Sequence, residues 1–392
     1  MTRLARQPHF HINSVDGVVG IHMKTIFLFD HVKFFGGAES HLFELAKGFA
    51  ELKGCNVYLV SPQGSILGNK IREQSIGVIT IEFPPFNSRN PFETLLNLFS
   101  FKKSLKSELQ KAKIANDAFL ISNTTRSFVY TAFLHLFFHR FSQIWILHDY
   151  MIPKKFLSIF KFIPKYFVAV SQHVKVFYNL PRTVVIPNAF SIDGDNFDMA
   201  RKDNGVKFKV GFFGRIVKWK GLHILIDAIN RVKQKNHNVM LLIYGSPSDI
   251  EIEYYKSVVE QVQRLGLINF VKFRGFVEDV ISAMRECDVI VSSSISKYGG
   301  PESFGRSLIE AMIAGVPVIA TNCGGIADNI TDGYNGILVK ENNAEELAEA
   351  IIILLNNSNL RKEITGNAKN DLSRYSKENV TNEYYNLLNS LR

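Results

Sequence analysis

The chain has 392 residues, 46% of them hydrophobic and 21% charged, with a formal net charge of +10. That length exceeds what one core usually organises and favours two domains, while the composition excludes a disordered or fibrous chain. Three scattered cysteines, Cys55, Cys287 and Cys323, exclude a disulfide framework and a cysteine-rich zinc site and fit a reducing compartment.

Charge is uneven: residues 1–200 hold 22 Lys and Arg against 14 Asp and Glu. A basic half can attract phosphates, anionic lipid or nucleic acid, so charge narrows the partner without naming it. Residues 1–22 include Arg3, Arg6, His9 and His11 but no apolar stretch, so they do not read as a secretory signal. They are expected to be an unstructured extension or an upstream start choice before Met23, and the chain to stay in the cytosol.

From Met23 onward, short β-rich runs alternate with helical stretches, the pattern of parallel sheets wrapped by helices. A first series of strands is expected near Thr25–Phe29, Asn56–Val60, Val78–Ile81, Phe119–Ser122, Ile144–Leu147, Phe167–Val170 and Val184–Ile186. The most apolar segment, Ser127–His148, is interrupted by Arg140 and reads as a buried helix followed by a strand, not a membrane span. A second series is expected near Lys207–Phe213, Val239–Tyr244, Val271–Arg274, Val289–Ser292, Val318–Ala320 and Gly336–Val339. Between them SIDGDNFDMARKDNG, Ser191–Gly205, is polar and reads as a linker. The expected fold is α/β, with two doubly wound Rossmann-like domains, 23–200 and 206–376, facing across a cleft at the carboxyl ends of their strands.

Three stretches carry chemistry. In GGPESFGRSLIEAMIAGVPVIATNCGG, Gly299–Gly325, a helix is expected to start near Phe304 or Gly305 and stop at Gly315, with Ser303 as N-cap. The first-turn N–H groups of Phe304, Gly305 and Arg306 would then suit a phosphate or sugar hydroxyls. Glu302 and Glu310, eight positions apart, would lie roughly 12 Å from each other, beyond the about 5–9.5 Å of a glycosidase pair. They read as two holders of vicinal hydroxyls, against the plain alternative of a helix-end charge and a solvated helix residue. In VGFFGRIVKWKG, Gly214 turns the chain after a strand, and Arg215 and Lys220 can converge on a diphosphate, although a solvated basic loop would look the same. No G-x-G-x-x-G turn is present, which argues against a NAD-dependent dehydrogenase. In HVKFFGGAES, Gly36 and Gly37 permit close backbone approach to a ligand, and His148, ending IWILHDY, would point into the same cleft.

With these residues in their order, the chain resembles the retaining GT-B-fold glycosyltransferases of family 4, the "glycosyl transferases group 1" type, over nearly its whole length from Met23. The resemblance implies that Arg215 and Lys220 bind the donor diphosphate and Glu310 the ribose, while Glu302 and the Ser303–Gly305 backbone hold the donor sugar. It also implies that Gly37 nears the donor phosphate or acceptor, that His148 meets the transferred sugar, and that Phe276 contacts the base through its backbone. The segment Lys377–Leu391 would be a helix returning to the first domain (377–392). The chain departs from the family at Asp328, where a Glu is common, and in the loop SKYGGP, Ser296–Pro301, whose Lys297 and Tyr298 take no role from the resemblance.

The expected reaction is retaining, metal-independent transfer from a nucleotide sugar, with no cofactor; Asp193 and Asp195 fall in the linker, not at a strand end. The alternatives are a nucleotide-sugar epimerase of the same architecture and a non-catalytic nucleotide-sugar-binding protein. The acceptor is expected to be a glycan or glycolipid of cell-envelope polysaccharide synthesis, and no nucleic-acid partner is expected. The segment Tyr150–Tyr166 interleaves Lys154, Lys155, Phe156, Phe160, Lys161, Phe162 and Lys165, a composition suited to resting on the anionic inner face of the cell membrane.

Overall fold

The computed structural model describes residues 23–86, 90–111, 118–135, 141–192, 207–235, 238–298 and 300–391. The expected extension and all but Ser191 and Ile192 of the expected linker lie outside these residues. The first domain runs β1 (Lys24–Phe29), α1 (Gly37–Glu51), β2 (Cys55–Ser61), α2 (Ile66–Glu73), β3 (Gly77–Thr80), α3 (Pro91–Lys111) and β4 (Ala118–Ser122). It continues with α4 (Thr125–His135), β5 (Ser142–Leu147), α5 (Lys154–Phe160), β6 (Tyr166–Ala169), α6 (Gln172–Tyr178) and β7 (Thr183–Val185). The second comprises β8 (Phe208–Phe213), α7 (Leu222–Gln234), β9 (Val239–Tyr244), α8 (Ile252–Arg264), β10 (Val271–Gly275), α9 (Val280–Met284) and β11 (Val289–Ser292). There follow α10 (Arg306–Ile313), β12 (Val318–Thr321), β13 (Ile337–Val339), α11 (Ala344–Asn356), α12 (Ser358–Asp371) and α13 (Lys377–Asn389).

Each expected strand is found within two residues of its expected ends. The strands form two wholly parallel sheets, of seven in the order β3-β2-β1-β4-β5-β6-β7 and of six in the order β10-β9-β8-β11-β12-β13. Helices cover both faces, so central strands are apolar throughout rather than alternating: all six residues of β1 are buried. In each sheet the strand order reverses once, between β1 and β4 and between β8 and β11. Those two positions leave a crevice at the strands' carboxyl ends, where such sheets take ligands.

The apolar segment Ser127–His148 is α4 followed by β5, as its interruption implies, and Phe128 stacks on Trp145 at 4.0 Å between ring centroids. Among the described residues no helix is long and apolar enough to cross a membrane.

The domains share one core. Phe190, from the end of the first domain, stacks on Phe304 of the second, and Tyr375 meets both rings edge-on. Past Tyr375 the chain returns: Lys377 N–H donates to the Phe190 carbonyl, and α13 lies along α1. Gly48 of α1 is the point of closest approach, since a Cβ there would overlap Thr381 Oγ1. Lys377 pairs with Glu51 at 2.5 Å, and Tyr384 reaches His41. We expect Gly48→Ala to destabilise the chain by about 1–3 kcal/mol through overpacking. A Thr381→Ala partner should recover part of that loss; equilibrium unfolding in urea of the two single variants and the pair measures the coupling.

Candidate active site

The second sheet supplies a fixed carboxylate and a cationic loop. After β8 the chain turns at Gly214, runs through a 3-10 turn at Lys218–Lys220 and enters α7 at Gly221. Gly221 has φ +65°, and a Cβ there would overlap the Ser293 carbonyl oxygen, so only glycine lets this loop lie against the end of β11. The consequence is that Lys220 forms an ion pair with Glu302, while Ser294 donates to the same carboxylate oxygen at 3.2 Å. Glu302 is buried, and its backbone is held too: its N–H points at Cys323 Sγ, and its carbonyl accepts from Gly325 N–H at 2.7 Å. Arg215, in contrast, is exposed, and its side chain has no ion pair or hydrogen bond among the described residues. The loop thus offers one cation committed to a carboxylate and one planar fork open to an anion.

The helix after Glu302 differs from expectation at its start. α10 begins at Arg306, and its N-cap is Gly305 at φ +81°, not Ser303. The left-handed turn at Gly305 moves the helix entry two residues on, so the unpaired first-turn N–H groups begin at Arg306 rather than Phe304. The Phe304 side chain lies in the shared aromatic core. At the other end the expected stop holds, with Gly315 at φ +73° and Val316 N–H bonded back to the Ala311 carbonyl.

Arg306 was not singled out from the sequence for its side chain, yet it joins the domains. Its guanidinium donates to Ser40 Oγ of α1 at 2.9 Å, reaches Glu310 at 3.4 Å and lies 4.1 Å from the Phe190 ring centroid. Burial lowers its pKa, an effect that the carboxylates of Glu310 and Glu44 oppose. Gly37 is required for this arrangement, because a Cβ there would come within 2.9 Å of Arg306 Cδ. The close approach at Gly37 is therefore to the second domain's arginine stem. Asp328 also acts between domains, accepting from His173 N–H at the start of α6 at 3.1 Å.

Phe276 is 80% exposed and lines a cavity of about 510 Å³ together with Tyr244, Arg274, Val277, Asp279 and Glu286. The cavity opens beside the carboxyl ends of β9 and β10. Its wall combines aromatic faces with both signs of charge, which suits a flat heteroaromatic ring.

The first sheet faces this with a row of polar groups on adjacent strand ends. His148, after β5, bonds through Nε2 to Asn123 Oδ1 at 2.7 Å; the amide oxygen accepts, so Nε2 carries the proton and Nδ1 keeps its lone pair. Burial holds the His148 pKa down to about 3, with Arg306 adding to the shift. His41, 5.7 Å away ring to ring, accepts from Ala189 N–H at Nδ1 and is likewise held neutral by burial. Asp30, just past β1, is fully buried; the Asn123 amide and the His31 and Val32 N–H groups face its carboxylate without reaching full hydrogen-bond geometry, and burial followed by the Glu39 charge pushes its pKa up to about 8. Asp30 and Asn123 were not marked from the sequence, although both follow the strands β1 and β4 that flank the switch point, and that position was their available signal.

Known proteins share the family sequence pattern and the fold. Residues 196–371 match the family described as "Glycosyl transferases group 1". An uncharacterised glycosyltransferase of Methanocaldococcus jannaschii is 28% identical over 377 residues, 87% of this chain and 91% of its own. A D-inositol 3-phosphate glycosyltransferase of Corynebacterium urealyticum is 31% identical over 187 residues, 46% of this chain and 43% of its own. The crystal structure of Anabaena HepE in complex with UDP superposes with a TM-score of 0.77 at 26% identity, covering 94% of this chain and all of that one. HepE is also known in complex with UDP-glucose. Fold, site and these matches define a glycosyltransferase of GT-B architecture.

The buried groups also set a pH dependence. His31, His41 and His148 have folded pKa values below the unfolded value, those of His31 and His148 being about 4 and 3. The unfolded chain therefore binds more protons at these sites below about pH 6.5, and stability falls on acidification. Asp30 has the opposite sign: its folded pKa of about 8 exceeds the unfolded value, so its contribution is lost as pH rises from about 4 through 8. Between pH 4 and 6.5 these three histidines, joined by His223 whose pKa burial also lowers, outweigh it, and above 6.5 the loss at Asp30 dominates. Stability should peak near pH 6.5 and decline towards 8, and Asp30→Asn should flatten that alkaline limb; urea unfolding at half-unit pH steps measures both.

Proposed function

We propose that the chain transfers a sugar from a nucleoside diphosphate sugar to a hydroxyl of a glycan or lipid-linked glycan in cell-envelope polysaccharide synthesis, with retention at C1 and without a metal. The observation that carries this reading is the junction of β8 and β11. There a free Arg215 and the Lys220–Glu302 pair stand side by side at the switch point, in a chain that superposes along its length on a UDP-glucose-bound protein.

In this reading the base enters the cavity at Phe276, Glu310 takes the ribose hydroxyls, and Arg215 with Lys220 takes the diphosphate. Glu302, held by Lys220 and Ser294, accepts hydrogen bonds from the donor sugar, to which the backbone N–H groups of Ser303, Phe304 and Gly305 donate, and Gly214 leaves room for the ligand. His148 offers its Nδ1 lone pair to a sugar hydroxyl from the opposite face, and as a neutral imidazole it does so across the physiological range. As the C1–O bond to the diphosphate breaks, charge builds on the leaving oxygen, and fixed cations stabilise it without reorganisation. The acceptor oxygen bonds to C1 from the face the diphosphate leaves, and its proton passes to the leaving phosphate oxygen.

A membrane-bound acceptor agrees with the surface beside the cleft. Met151, Ile159 and Phe162 are 80%, 70% and 71% exposed, and Lys155 and Lys165 lie exposed among them. Phe160 instead packs edge-on against Phe128 in the core; the Lys154 and Phe156 side chains lie outside the description. Three large apolar side chains in solvent within one short segment, ringed by lysines, suit the headgroup region of an anionic bilayer.

Two experiments test the reading. In buffer containing EDTA, the wild type should release sugar from one member of a nucleotide-sugar panel, and Arg215→Ala should lower turnover by about 100-fold or more with unchanged circular dichroism. Lys220→Ala should lose at least as much, since it also strips Glu302 of its ion pair. Turnover equal to wild type in Arg215→Ala, or activity that returns only with added metal, would overturn the mechanism. In sedimentation with vesicles of rising anionic lipid content, the wild type should bind in a salt-sensitive manner, and Lys155→Glu with Lys161→Glu and Lys165→Glu should remain in the supernatant.

A further inference from the structure

The loop Ser296–Pro301, to which the resemblance assigns nothing, lies where it can meet a substrate. It leaves β11 one position across the switch point from the Arg215–Lys220 loop. Its base is pinned: Ser296 donates through N–H and Oγ to the two carboxylate oxygens of Glu341, at 2.7 and 2.6 Å. Its far side touches the first domain, with Gly300 against the Tyr150 ring and the Tyr150 hydroxyl 3.4 Å from the Glu302 carbonyl oxygen. Between these anchors Tyr298 has φ +70°, a conformation L side chains rarely adopt and one that persists where surrounding contacts determine it.

That backbone holds the Tyr298 ring, 49% exposed, beside two ammonium groups: Lys218 Nζ at 4.1 Å from the centroid and Lys297 Nζ at 5.1 Å. The two cations are therefore no further apart than the sum of those distances, and neither has an ion pair among the described residues. Glu341 accepts from Ser296 and forms no ion pair with either lysine among the described residues. Two like charges gathered on one aromatic ring repel each other, and the ring's attraction for cations offsets this only in part. An oxyanion between them would complete the arrangement.

We propose that Lys218, Lys297 and Tyr298 form an anion subsite at the mouth of the donor cleft, separate from the diphosphate clamp. It takes a carboxylate or phosphate carried by one of the two substrates. The subsite rests on the donor-cleft reading above and adds to it a class of substrate: one sugar bears a negative charge beyond the diphosphate. Lys218 reaches it from the same 3-10 turn that carries Lys220, so the subsite is two residues from the cation on Glu302 and within reach of a substituent on the donor sugar or on the acceptor beside it.

Calorimetric binding to the full chain tests this with UDP, then with UDP-glucose against UDP-glucuronate, and, in saturating UDP, with glucose against glucose 6-phosphate. The wild type should favour the charged member of one pair by about tenfold or more. The first pair assigns the anion to the donor and the second to the acceptor. Lys218→Ala with Lys297→Ala should erase the preference while leaving UDP affinity within about twofold, and Tyr298→Phe, which keeps the ring, should retain it. These side chains lie at the surface, so the variants should stay folded. Equal binding of both members of both pairs by a wild type that binds UDP would overturn the subsite alone. An equal loss of UDP affinity in the double variant would merge these lysines with the diphosphate clamp. If the wild type bound none of UDP, GDP or ADP, the donor-cleft reading itself would fall, and the subsite with it.

Discussion

The ion pair between Lys220 and Glu302 organises the second half of this protein. A buried carboxylate is costly unless its lone pairs are met, and here a lysine and a serine hydroxyl meet them. To bring the lysine there, the loop after β8 must lie on the end of β11, which requires glycine at 221. To bring the carboxylate there, the chain before α10 must be held by Cys323 and Gly325. The two loops of the switch point thus become one rigid floor, and Arg215 is left beside it with its fork uncommitted.

The seam between the domains has the same character, apolar at its centre and charged at its rim. Phe190, Phe304 and Tyr375 give the two domains a common aromatic core. Arg306 and Asp328 reach outward from the second domain to an α1 serine and to the His173 N–H in the first turn of α6. Arg306 also pairs with Glu310, so a movement of α1 against α10 would be felt by the carboxylate proposed to hold the ribose. Gly37 and Gly48, both on α1, are glycines for the same steric reason: one clears the arginine stem and the other clears Thr381 of α13.

The polar row on the first sheet is of a different kind. His148, Asp30 and Asn123 are groups whose hydrogen-bonding capacity is only partly used, whereas both ring nitrogens of the buried His41 are engaged. Burial keeps the imidazoles neutral and favours the protonated form of Asp30, so this wall of the cleft carries little charge while the opposite wall is cationic. The division suits a reaction in which an anionic leaving group is held on one side and neutral hydroxyls are handled on the other.

Much of this was legible in the sequence. Runs such as KTIFLF and VMLLIY are buried on both faces, so apolar content alone located every strand, and the polar stretch at 191–205 separated the two series. Arg215 and Lys220 could be marked because Gly214 and Gly221 flank their loop, Glu302 because it precedes a helical run, His148 because it ends a strand, and Glu310 through the resemblance. Ser303 was misread as a cap because a serine before a helical run is a local signal, whereas the left-handed Gly305 that displaces it is stabilised by packing of the whole turn. Arg306, Asn123, Asp30 and the pairing of Lys218 and Lys297 on Tyr298 depend on residues up to hundreds of positions apart. The sequence by itself determined the two-sheet architecture, since strands and helices follow from local pattern, and the glycosyltransferase class, through the resemblance its motifs carry. Only the tertiary structure decided which cation is paired and which is free, which histidine nitrogen keeps its lone pair, and how the domains interlock, because each depends on which groups the fold brings within hydrogen-bonding distance.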